Sequence, residues 1–180
     1  MLHSLAQLYF RCIFEFFVQV INRNSRSIVI FDLDNTIYNT WVERIDNRAN
    51  ENQIYARAKI FTDVANRVTQ HYKAKDVLIF ISSRKLACYP ITCRRVLSDF
   101  NFTTLLSIIL VSQPEEKLIY IKRLLTIKRK VIYYDDLSYG HETGVVSFYD
   151  EVINSVKKLP IKYFGFDEII KLQNGDININ

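Results

Sequence analysis

Glycine is scarce in this chain. Of 180 residues, only Gly140, Gly144, Gly165 and Gly175 are glycine. Neither a Walker-type loop nor a G-x-G-x-x-G turn can be drawn from them, so any phosphate must be held by another device. Cysteine is scarce too. Cys12, Cys88 and Cys93 form no C-x-x-C pair, which argues against a disulfide framework or zinc cluster and fits a reducing, cytoplasmic compartment. No Ser-His-Asp or Cys-His arrangement is legible. Long apolar runs are also missing. The most apolar stretch, residues 1–21, is interrupted by Arg11 and Glu15, so it is too short and too charged to span a bilayer. It has neither a basic leading region nor a small-residue cleavage site, so a signal peptide is not expected.

What remains is an ordinary globular composition, 49% apolar and 24% charged. The length suffices for one domain with its own core, without disulfides or a structural metal. Net charge is +5, compatible with an anionic substrate or nucleic acid and equally with a solvated basic surface. Near the N-terminus, Leu5, Leu8, Tyr9, Cys12, Ile13, Phe16, Phe17 and Val20 recur at helical spacing. Residues 1–26 therefore read as an amphipathic helix and polar linker. The helix is expected to pack on the domain or on a second copy, making a homo-oligomer. Peripheral membrane attachment is the alternative, and the cation-poor polar face argues against it.

From residue 27 to 172 the chain reads as one domain, with a frayed polar tail over 173–180. Five short apolar runs punctuate it: Ile28–Phe31, Val77–Ile81, Ser107–Val111, Val131–Tyr134 and Ile161–Phe164. Each is β-branched or aromatic and nearly continuous, the mark of strands buried on both faces of a parallel sheet. Helix-like segments separate them: Asn52–Tyr72, Thr92–Phe100, Pro114–Leu125 and Asp150–Leu159. This alternation predicts a three-layer α/β/α, Rossmann-like domain on a five-stranded, mainly parallel sheet. Ligands of such sheets bind at the carboxyl ends of the strands.

The residues just beyond each run are therefore the candidates for a site. After the first come Asp32 and Asp34, two positions apart and projecting together. Such a pair repels unless a hard cation such as magnesium sits between its oxygens. Ser82, Ser83 and Arg84 follow the second run; hydroxyl and backbone N–H groups there can hold phosphoryl oxygens. Lys117 follows the third, in the first turn of a helix, the unfavourable end for a cation. Asp135 and Asp136 follow the fourth, and a cation shared with Asp32 would relieve them. Acid pair, hydroxyl, lysine and acid pair thus arrive in order, each just beyond a strand.

On these residues the chain resembles the haloacid dehalogenase superfamily of phosphohydrolases, from about Ile28 to Phe164. Phe31–Thr36 (F-D-L-D-N-T) is similar to its first motif, Ile81–Arg84 to the second, Lys117 to the third and Tyr133–Asp136 to the fourth. Ser82–Arg84, Thr92, Lys117 and Asp136 also resemble the branch of polynucleotide 3′-phosphatases and related nucleotide phosphatases. The M-R pair often seen after the third strand of that branch is missing. The resemblance implies a magnesium-dependent phosphomonoester hydrolase. Asp32 would be the nucleophile, forming an aspartyl-phosphate, and Asp34 the general acid and base. Ser82 and Lys117 would hold the phosphoryl group. Asp32, Asp34 through its carbonyl, and Asp136 would hold Mg2+, with Asp135, Thr36 and Ser83 in support. A dehalogenase would lack Asp34, so that reaction is discarded.

In that superfamily, inserted caps often set specificity. Here the intervals leave room only for a flap at about 37–51, so the site should be open. Trp41 on the flap could stack on a base or sugar, Arg44 and Arg48 could hold a second anionic group, and Arg84, after the second strand, could also touch substrate. A nucleotide or nucleic-acid end is the expected substrate class. A sugar phosphate, a phosphoprotein, or a non-catalytic binding or regulatory module are the alternatives.

Overall fold

A computed structural model describes residues 2–21, 27–45, 50–101 and 108–176. Five strands form one sheet: β1 (Ser27–Phe31), β4 (Val77–Ser82), β5 (Ile108–Leu110), β6 (Lys130–Tyr134) and β9 (Lys162–Phe164), in the order β5-β4-β1-β6-β9. Every neighbouring pair is parallel. The five apolar runs are these strands, and the sheet is wholly parallel. β1, with its two neighbours, lies at the centre, so the acids that follow it are placed in the middle of the sheet's carboxyl edge.

Alternation explains the two cores. Val29 and Phe31 face one side with Phe80, Ile132, Tyr134 and Phe164. Ile28 and Ile30 face the other with Ile79, Ile81, Val131 and Tyr133. Helices α4 (Thr62–Lys73), α5 (Tyr89–Phe100) and α8 (Phe166–Gln173) cover the first face through Val64, Val68, Val96, Ile169 and Leu172. Helices α6 (Lys117–Leu125) and α7 (Asp150–Lys157) cover the second through Tyr120, Ile121, Leu124, Val152 and Val156. The result is the three-layer α/β/α domain the pattern implies.

The N-terminal helix, α1 (Leu2–Val20), packs on that second face. Phe10 and Phe14 are buried, and Phe14 sits edge-on to Tyr120 at 4.9 Å. Arg123 of α6 grips Glu15 through two nitrogens at 2.7–3.0 Å. Leu8 and Phe16 remain exposed on its outer side. Among the described residues, no helix is long and apolar enough to cross a membrane.

The segment read as one helix over 52–72 is broken. It forms α3 (Glu51–Arg57), a two-residue strand β3 (Lys59–Ile60), and then α4. β3 pairs antiparallel with β2 (Tyr38–Asn39), and α2 (Thr40–Ile45) fills the interval. Ala58, extended at φ −48° and ψ 127°, ends α3. Its buried side chain kept the helical spacing of apolar residues intact through the break. The insertion after the first acid pair is therefore larger than a flap ending at 51. A second small hairpin, β7 (Ser138–Tyr139) with β8 (Ser147–Phe148), rises from the end of β6.

Candidate active site

The chain turns sharply after β1. Asn35 takes φ +58°, a left-handed conformation that asparagine tolerates. Its side-chain oxygen accepts from Thr40 Oγ1 (3.0 Å) and from the Trp41 N–H (3.2 Å). Its carbonyl accepts from Gln173 Nε2 at 2.5 Å, so the residue expected to begin a frayed tail is tied to this turn. Leu33 buries between the two acids' positions, while Asp32 and Asp34 both line a pocket of ≈ 230 Å³. Lys117, Asp135, Asp136 and Ser83 line it as well.

Lys117 stands at the start of α6, fully enclosed. Its Nζ lies 2.6 Å from Asp32 Oδ1 and 2.6 Å from Asp135 Oδ2. A cation at a helix N-terminus has no dipole reason to be there; the two carboxylates supply one. Burial opposes its charge, but Asp135 and Asp32 outweigh that and raise its pKa. Asp135 is held from several sides. Oδ1 accepts the Leu137 N–H at 2.9 Å, and the Tyr133 hydroxyl donates to Oδ2. Leu137 itself has φ +44°, strained for a bulky residue and set directly beside the site.

Asp136 is fixed by hydroxyls. Thr36 Oγ1 donates to its Oδ1 at 3.0 Å, and Ser138 Oγ donates to its Oδ2. Carboxylate oxygens of Asp32, Asp135 and Asp136 come within 4.8 Å of one another, all three buried. Burial, and then the neighbouring carboxylates, push Asp32 well above the usual range despite Lys117. Three carboxylates face one ammonium, so two negative charges remain when all are ionised. A divalent cation with oxygen ligands would cancel them, and the donor set suits magnesium. The residues present therefore fit the metal that the sequence implies.

Asp34 lines the same pocket but is not one of these three carboxylates. Arg84 approaches it with Nε at 3.1 Å and Nη2 at 2.9 Å, and Ser82 Oγ donates to it at 3.2 Å. Burial would raise its pKa, but Arg84, Arg44 and Ser82 together hold it below the usual range. Arg84 is 2% exposed, bonded to Thr92 at 3.2 Å and stacked 4.1 Å over the Tyr55 ring. It serves Asp34 and is enclosed, rather than open to a substrate.

Several expectations thus change place. Ser82 is buried and spent on Asp34; its exposed neighbour Ser83 is the serine that lines the pocket. Asp135, expected only in support, joins Asp32 and Asp136 in the carboxylate cluster. Trp41 is half-buried and off the pocket wall, whereas Arg44 lines it and also bonds the Tyr55 hydroxyl at 3.3 Å. Arg48 lies outside the described residues. The β7–β8 hairpin was not foreseen as an element. Its Tyr139, Gly140 and Glu142 form one wall of the pocket. Gly140 and Gly144, both at positive φ, were its turn signal.

No family model matches the chain, and no curated protein matches it. Among solved structures, a class C acid phosphatase from Bacillus anthracis with tungstate bound is similar over 97% of this chain and 92% of that one, at 12% identity and a TM-score of 0.42. A likeness so distant says nothing about chemistry, which has to come from the residues themselves.

Proposed function

We propose that the chain is a magnesium-dependent phosphomonoester hydrolase that works through an aspartyl-phosphate on Asp32. The observation that carries this reading is the buried trio of Asp32, Asp135 and Asp136 around Lys117, with a second acid, Asp34, opening on the same pocket. Asp32 attacks phosphorus in line, and the bond to the leaving oxygen breaks. Asp34 gives that oxygen a proton, then takes one from the water that cleaves the acyl phosphate, releasing inorganic phosphate and restoring Asp32. Lys117 and Ser83 hold phosphoryl oxygens where charge develops. Asp32 and Asp136 would hold the magnesium ion, together with the Asp34 carbonyl, and Asp135 keeps Lys117 in place. When bound, the ion neutralises the carboxylates and offsets phosphoryl charge.

The pocket is small, ≈ 230 Å³, so the body of the substrate would lie outside it. Arg44 at its wall and the net charge of +5 favour an anionic body, a nucleotide or a nucleic-acid end, over a sugar phosphate or phosphoprotein.

The test is phosphate release by purified protein, in magnesium and in EDTA, from nucleotides, 3′- and 5′-phosphorylated oligonucleotides, sugar phosphates and a phosphopeptide. Metal-dependent release that Asp32→Asn abolishes is expected, with nucleotides or oligonucleotides the best substrates. No release from any of them would overturn the enzymatic reading and leave a binding module.

A further inference from the structure

The hairpin that walls the pocket also holds a chain of hydrogen bonds that ends on a carboxylate of the trio. Ser138, the first residue of β7, gives its single hydroxyl proton to Asp136 Oδ2. Its oxygen lies 2.6 Å from His141 Nε2. With that proton committed to Asp136, the serine oxygen is left to accept, so His141 carries its proton on Nε2. The chain therefore runs from His141 N–H to Ser138 O–H to Asp136, each bond polarising the next. His141 Nε2 is itself only 3.6 Å from Asp136 Oδ2, and its side chain is 12% exposed. Its ring packs on Phe166 of α8 at 6.1 Å, which seats it from the far side. Thr36 occupies the other oxygen of Asp136 at 3.0 Å.

An exposed loop histidine would ordinarily point to water. This one is enclosed, and its ring nitrogen is directed at a carboxylate through one hydroxyl. A carboxylate with each oxygen already fixed by one donor keeps its remaining lone pairs in set directions. That is how outer partners orient a ligand before a metal arrives.

We infer that His141 and Ser138 are positioning residues that fix the Asp136 carboxylate for a divalent cation and thereby set its affinity. This inference rests on the reading of Asp32 and Asp136 as the carboxylates of the trio that would hold the metal. It also links metal binding to the hairpin that carries Tyr139, Gly140 and Glu142 along the pocket wall.

The experiment is calorimetric titration of the full chain with magnesium chloride, with no substrate present. His141→Phe keeps a ring against Phe166 but removes the N–H; His141→Gln keeps an N–H donor on a flexible chain. His141→Phe and Ser138→Ala are each expected to weaken magnesium binding about 10–100-fold, with His141→Gln within about threefold of the parent by the same argument. A lost packing contact alone would not produce that order, because the phenylalanine variant packs and the glutamine variant does not. Thermal unfolding in EDTA checks that each variant folds; if His141→Phe does not, Ser138→Ala carries the test. Parental affinity in folded His141→Phe or in Ser138→Ala would overturn the inference while leaving the phosphatase reading intact. Absence of magnesium binding in the parent would overturn the trio itself, and with it both readings.

Discussion

Arg84 changes what Asp34 can do. A general acid must hold a proton when the leaving oxygen departs, yet the guanidinium and its helpers outweigh burial and keep Asp34 ionised. Its protonated fraction therefore grows as pH falls, and falls away above its depressed pKa. Turnover of an alkyl phosphate, whose leaving group needs that proton, should decline as pH rises through the acidic range. Arg84→Met removes the opposing charge, so the Asp34 pKa rises and this decline should move to higher pH. The peak rate should also drop, because the carboxylate loses its clamp. A kcat profile against pH for both proteins measures this, and an unmoved limb would show that Arg84 does not tune Asp34. Asp34→Asn should cost about 10²–10⁴-fold on the same alkyl substrate, and much less on a nitrophenyl phosphate, whose leaving group departs unprotonated.

The same residue shows where sequence reading stops. Asp32, Asp34, Lys117, Asp135 and Asp136 were legible because each lies just past a strand-like run and is uncomfortable there without a partner. Whether Ser82 or Ser83 faces the pocket was not, because the two are adjacent and a strand's last pleat decides which one turns inward. Arg84 read as a substrate contact because it follows the second strand, at the edge of the sheet where ligands bind. Only the packing of Tyr55 and Thr92 around it reveals that it is enclosed.

At the scale of elements, apolar periodicity found the five strands because a two-faced core leaves nearly every strand position apolar. It failed between residues 51 and 73, where Ala58 is buried in a non-helical link and keeps the spacing of a continuous helix. It also passed over the β7–β8 hairpin, whose strands are two residues each, too short to show alternation. The N-terminal helix offers a test of packing against exposure. Phe14 is 2% exposed against the sheet-facing core, while Leu8 on the same helix is 57% exposed. Phe14→Ala should cost about 3–5 kcal/mol, and Leu8→Ala should stay within about 0.5 kcal/mol of the parent. Urea unfolding of the two variants reads the difference. Similar midpoints would mean that α1 does not contribute to the fold, and that its apolar residues serve a surface elsewhere.

For the whole molecule, the buried trio makes stability depend on pH and on metal together. Asp32 has its pKa raised above the ordinary 3.8, chiefly by burial. A group raised in the folded state contributes stability that is complete below 3.8 and is withdrawn as pH climbs through its raised value. Asp34 acts in the opposite sense and in a lower window: its contribution is present above 3.8 and lost as pH falls through its depressed value. The metal-free protein should therefore weaken from its acid side towards neutrality as Asp32 is forced to ionise beside Asp135 and Asp136. Magnesium binds the ionised carboxylates and competes with the proton. Its benefit should be near zero where Asp32 is protonated and greatest where it is not. At a hundred times its dissociation constant, the ion would add about 2.7 kcal/mol. At about 2–4 °C per kcal/mol for a chain of this size, that is a rise in Tm of about 5–10 °C. Thermal unfolding in magnesium and in EDTA, repeated across pH, should give two curves that meet in acid and separate as pH rises. The gap should close in Asp136→Asn, which removes one charge of the trio. Curves that coincide at every pH would mean that no divalent ion is held there, and that the carboxylates and Lys117 satisfy one another as a closed ion-pair network.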